Sequence, residues 1–95
     1  MKIAVHCLDH PSALKLRLAN YDAHKAYLGK GSIKTVISGP LLAADGETMI
    51  GSLFVFEADS VSDVEAYNAA DPFRKAGVWA DVQIHPFSLR VDNRS

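Results

Sequence analysis

The chain has 95 residues, 48% of them hydrophobic and 22% charged, with a formal net charge of −1. That balance is typical of a folded domain and excludes a disordered chain. The scattered basic residues give no electrostatic case for nucleic acid, and a single cysteine, Cys7, cannot form an internal disulfide. The apolar start is interrupted at His6 and Asp9 too soon for a signal sequence, and no apolar run approaches membrane length. The expectation is one soluble cytoplasmic domain, residues 1–95, small enough to benefit from pairing with a second copy.

Lys2–Leu8 alternates Ile3 and Val5 with Ala4 and His6 and predicts a strand. Asp9-His10-Pro11-Ser12 is turn and cap chemistry, and Ala13–Lys30 then carries a helical period. Leu14, Leu18, Tyr21 and Leu28 form one apolar stripe, with Arg17, His24 and Tyr27 along its edge, where a polar side chain can look into a cleft. Gly29-Lys30-Gly31 ends the helix. Ser32–Ser38 predicts a second strand, broken by Gly39-Pro40. Ala44-Asp45-Gly46 signals a turn, and Met49–Ala58 a third strand. Ser60 is set to cap a second helix with Asp63 in its first turn, and Val64, Tyr67 and Ala70 as its apolar face. Asp71 stands immediately before Pro72, which suits it to N-cap a short helix Pro72–Gly77. Ala80–Val91 predicts the last strand, and residues 91–95 a loose end.

Strand, helix, strand, strand, helix, strand is the ferredoxin-like βαββαβ order, an α+β fold with one four-stranded antiparallel sheet and its helices on one face. The third strand is apolar at both parities, Leu53 and Val55 against Phe54 and Phe56, so both faces of the sheet need cover. A homodimer packed sheet against sheet would supply it.

Histidine titrates near neutral pH and can take and return a proton in the cell. His24 on the first helix either is an ordinary solvated histidine or is the candidate for that work, in which case a capping carboxylate at Asp71 is held rigidly enough to fix its tautomer and orientation. Ser38 and Gly39 at a strand end, and Ser52 after Gly51, could present donors to an oxyanion. Gly39-Pro40 also reads simply as a turn, and Asp71 simply as a cap. Arg17 either binds an acidic group or pairs with an acidic neighbour. Phe73 and Trp79 either line an apolar pocket or pack in the core. His6 and His10 straddle a strand and a turn, so with His85, Cys7 and Asp9 they make a poor case for a metal.

These residues together resemble the YciI-like proteins, ferredoxin-like domains of the dimeric α+β barrel superfamily, over Ile3–Phe87. The resemblance rests on Arg17 seven residues before His24 with Tyr27 and Leu28 following, on Ser38-Gly39-Pro40, on Gly51-Ser52, and on Ala70-Asp71-Pro72-Phe73 followed by Ala76-Gly77-Val78. The closing Val82-Gln83-Ile84-His85-Pro86-Phe87 is similar as well. It implies a site built on His24 and Asp71, a homodimer and no cofactor; read from the residues, Arg17, Ser38, Gly39, Ser52 and Phe73 are the candidate substrate contacts, and no metal is expected. The implied activity is that of a small cofactor-independent enzyme acting on a ring or enol-type compound, similar to dehydrochlorinases or isomerases. The alternative is a non-catalytic small-molecule-binding or accessory module of the same fold. Many members carry a second arginine three residues before the histidine, often followed by proline. Here those positions are Tyr21 and Asp22, so the substrate is expected to be less acidic or to be held by Arg17 alone.

Overall fold

The computed structural model describes residues 1–94; of the expected loose end, Ser95 lies outside the described residues. Four strands, β1 (Lys2–Asp9), β2 (Lys34–Leu42), β3 (Met49–Glu57) and β4 (Trp79–Phe87), form one antiparallel sheet in the order β2-β3-β1-β4. Helices α1 (Leu14–Gly29), α2 (Val61–Ala69) and α3 (Pro72–Lys75) complete the α+β, ferredoxin-like arrangement. Alternation along β1 sends Ile3, Val5 and Cys7 inward, where they meet Phe54 and Phe56 of β3. Val64 and Tyr67 of α2, Phe73 of α3, and Val78 and Trp79 close the same core. Gly51 lets β1 and β3 pass closely, because a Cβ there would collide with the Cys7 carbonyl. No helix among the described residues is long and apolar enough to cross a membrane.

The caps fall where local chemistry puts them. The Ser60 hydroxyl accepts the Asp63 N–H at 3.2 Å and starts α2. The Asp71 carboxylate accepts the Phe73 N–H at 2.8 Å and starts α3, with Pro72 at the first helical position. α3 ends in a Schellman motif: Val78 N–H donates to the Phe73 carbonyl at 3.0 Å and Gly77 N–H to the Arg74 carbonyl at 3.2 Å. Gly77 supplies the positive φ of 79° that this ending requires. A single turn of helix is thereby fixed at both ends.

β4 ends at Phe87 rather than the expected Val91, because its partner β1 begins at Lys2 opposite Phe87, and two further expectations are corrected. β2 runs through Gly39-Pro40 to Leu42 rather than breaking there. Among the described residues it is an edge strand, paired only with β3, and an edge strand can do without the N–H that proline lacks. The second correction concerns α1. Leu14, Leu18 and Tyr21 of its apolar stripe are 39%, 56% and 47% exposed, whereas Arg17 and His24 are 3% and 7% exposed. The helix is rotated so that its polar edge faces the sheet, because partners waiting there satisfy both polar side chains.

The far face of the sheet is open. Leu8, Ile37, Leu53 and Phe87 are partly exposed on it, while His85 and Gln83 give the β4 part of that face a polar surface. Val55 is buried, and Leu89 and Val91 of the final segment border the same apolar groove with it.

Candidate active site

Asp71 does two things at once. Besides capping α3, its carboxylate lies 2.8 Å, through each oxygen, from Nδ1 of His24. A carboxylate can only accept, so the proton between them sits on Nδ1 and donates to Asp71. Nε2 is then the atom that takes or gives a proton on the other side of the ring. The imidazole is held in plane by Phe73, stacked on it with centroids 4.0 Å apart and planes 9° from parallel. Phe54 and Trp79 meet it edge-on at 5.8 and 6.2 Å. Position, tautomer and ring orientation are all determined by the short turn that Asp71 begins.

Two turns earlier on α1, Arg17 is equally constrained. Nε donates to Asp9 Oδ2 at 2.8 Å and Nη2 to Asp9 Oδ1 at 3.0 Å, a bidentate pair whose side chains are 4% and 5% exposed. Nη2 also donates to Ser52 Oγ at 2.7 Å, and the guanidinium carbon lies 4.8 Å from the Phe73 ring centroid. Having accepted from Arg17, the Ser52 hydroxyl keeps its own proton to give away.

Between α1 and the β2–β3 hairpin lies a cavity of about 230 Å³. Arg17, Tyr21, His24 and Lys25 form its α1 wall; Ser38, Gly39, Pro40, Met49 and Ser52 form the opposite one. A cavity of about 150 Å³ suffices for benzene, so this one suits a single substituted ring. The candidate site residues His24, Arg17, Ser38, Gly39, Ser52 and Phe73 all border this cavity, with Asp71 directly behind His24. Phe73 has no exposed surface; it backs the wall and meets His24 and Arg17 rather than presenting itself to a ligand. Of the two readings of Arg17, an acidic ligand or an acidic neighbour, the structure shows the second, its charge being paired with Asp9.

Three residues were not anticipated. Asp9 closes β1 rather than lying in a turn; it shares the inward parity of Ile3, Val5 and Cys7, and that parity is the available signal. Tyr21 and Lys25 reach the cavity mouth one turn apart, the ammonium 6.0 Å from the Tyr21 ring centroid; the signal for Tyr21 is its place where many related proteins carry arginine, and Lys25 has none beyond its spacing from His24. His6 and His85 lie on the open sheet face, away from inward Cys7. Among the described residues no three His, Cys, Asp or Glu side chains converge as a metal site. Burial, and then the nearby Asp71 carboxylate, push the Cys7 thiol up to about 12. Tyr27, whose hydroxyl donates to the Tyr67 carbonyl at 2.7 Å, is also raised, by burial and then by Asp71.

The YCII-related domain matches residues 1–88. A protein of Haemophilus influenzae of uncharacterized function is 30% identical over 94 residues, covering 92% of this chain and 96% of its own. Protein YciI of Escherichia coli O6:H1 is 30% identical over 96 residues with the same coverage, 92% and 96%. Among solved structures, 5-chloro-2-hydroxyhydroquinone dehydrochlorinase (TftG) of Burkholderia phenoliruptrix AC1100, in complex with 2,5-dihydroxybenzoquinone, superposes with a TM-score of 0.82. It is 34% identical, covering 93% of this chain and 94% of that one.

Proposed function

The chain belongs to the YCII-related family, and we propose on that premise that it is a small enzyme using His24 and Asp71 as a general acid–base pair on a hydroxylated ring compound. The observation that carries this is the His24 imidazole beside the cavity with its Nδ1 already bonded to Asp71. Such an arrangement leaves Nε2 as the one ring atom able to exchange protons with a ligand. The likeness to a dehydrochlorinase of the same fold supports elimination of halide as the reaction.

For a chlorinated hydroquinone the steps balance as loss of HCl. One hydroxyl gives up its proton while the chlorine-bearing ring carbon accepts one and becomes tetrahedral. The C–Cl electron pair leaves with chloride, and loss of a second hydroxyl proton leaves a quinone. The ring is oxidised because the electron pair departs with the halide, so the reaction consumes no external oxidant. His24 carries protons in both directions, and Asp71 steadies the imidazolium between transfers. Ser52, oriented by Arg17, donates to the ring oxygen that gains negative charge. Ser38 and Gly39 form the wall against which the ring lies.

The working unit in this proposal is a homodimer, with Ile37, Leu53, Phe87 and their neighbours on the open sheet face in the contact. Chloride release and quinone absorbance from 5-chloro-2-hydroxyhydroquinone test the activity. Catalysed release of one chloride per quinone formed supports it, and a rate equal to the uncatalysed one overturns it.

A further inference from the structure

The charges around the cavity are unevenly committed. No acidic side chain lines it among the described residues, and the two carboxylates just behind its wall are engaged: Asp9 with Arg17, and Asp71 with His24 and the Phe73 N–H. Arg17 is neutralised by its partner. Lys25, at the mouth, forms no ion pair among the described residues, and its ammonium stands over the Tyr21 ring. The cavity therefore carries one uncompensated fixed positive charge at its mouth and a proton-exchanging nitrogen at its wall.

We propose that Lys25 determines specificity by holding an anionic oxygen of the ring substrate at the cavity mouth while His24 works on the other end, so that the enzyme selects acidic, ionised ring compounds over neutral ones of the same size. This rests on the acid–base reading of His24 and adds to it the charge of the substrate. A cation held against an aromatic face is partly ordered before a ligand arrives, which lessens the entropy lost when it pairs. Tyr21 thus serves as the rest on which Lys25 waits. The charge of Arg17 cannot do the same work without breaking a buried bidentate pair.

The test is calorimetric titration of wild type, Lys25→Met, Lys25→Arg and His24→Ala with two probes, 2,5-dihydroxybenzoquinone, a vinylogous acid that is anionic at neutral pH, and hydroquinone, which is neutral there. One charge-assisted contact corresponds to about tenfold in affinity. Lys25→Met is expected to weaken the acidic probe about tenfold, to leave hydroquinone unchanged, and to abolish the weakening that salt causes in wild type. Lys25→Arg should stay within about threefold of wild type for both, since it preserves the charge. Equal affinity of wild type and Lys25→Met for the acidic probe overturns the proposal. So does a parallel loss of hydroquinone, which would mean lost packing rather than lost charge, and so does a wild type that binds neither probe. Charge-selective binding in a protein that releases no chloride would leave Lys25 in its role and remove the catalytic one from His24.

Discussion

Replacing Asp71 by alanine removes two contacts at once. The Phe73 N–H loses its acceptor, and a lost N-cap costs about 0.5–2 kcal/mol. His24 Nδ1, in a buried ring, is left with no acceptor, and an unsatisfied buried donor costs about 1–3 kcal/mol. Together the expected loss is roughly 2–4 kcal/mol, a large share of the total stability of a chain this size. Asp71→Asn keeps an oxygen for the cap and gives His24 an amide in place of a carboxylate, so about half the loss should remain. Urea unfolding reports both, with Trp79 as the fluorophore, since it is the one tryptophan and packs edge-on against His24 and Phe73 at 6.2 and 5.8 Å. With a slope of about 1 kcal/mol per molar urea, the alanine variant should unfold about 2–4 M earlier and the asparagine variant about 1–2 M earlier. Protein concentration is held fixed across the series, because association would shift every midpoint. An alanine variant within about 0.5 M of wild type would refute the dual role of Asp71.

Breaking the buried Arg17–Asp9 pair by Asp9→Ala should cost about 3–5 kcal/mol in the same assay, whereas Arg17→Met with Asp9→Leu should recover most of it, since two apolar side chains leave no charge stranded. Cys7, with its thiol raised to about 12 from 9.0, should resist thiol reagents at pH 8 in the native state and react at once in urea. Its linkage has one sign: the unfolded thiol loses its proton above 9.0 and the folded one does not, so stability should be level below 9.0 and fall as pH rises toward about 12. Cys7→Ser should flatten that limb. The open sheet face predicts a dimer by sedimentation at micromolar concentration, burying about 1,200–2,000 Å² or more. Leu53→Glu should yield a folded monomer, and a wild type that sediments as a monomer of 10.3 kDa would refute the pairing.

Much of this was legible in the residues because the signals are local. Alternation in Lys2–Leu8, Ser60 ahead of Asp63, and Asp71 ahead of Pro72 each act within a few residues, and each element formed where they indicated. The pairing of His24 with Asp71 came from the family resemblance joined to the cap, since nothing local connects residues 47 apart in sequence. The orientation of α1 was not legible. A leucine stripe ordinarily faces the core, but here the partners that draw Arg17 and His24 inward are Asp9, Ser52 and Asp71, each brought there by the tertiary fold. Pro40 reads as a stop because its tolerance depends on β2 being an edge, a fact about strand order rather than about the strand. Lys25 was invisible for a similar reason: only the pairing of every other charge around the cavity makes it the one left over.

The role of His24 as the group that moves protons is open to chemical rescue. Chloride release from 5-chloro-2-hydroxyhydroquinone is measured for wild type, for His24→Ala, and for His24→Ala with imidazole added to the buffer. Removal of a positioned acid–base group costs about 10²–10⁴ in rate, so the alanine variant should fall by that factor while still unfolding cooperatively, and free imidazole entering the vacated space should restore part of the lost rate. A His24→Ala protein that releases chloride within tenfold of wild type would contradict the account.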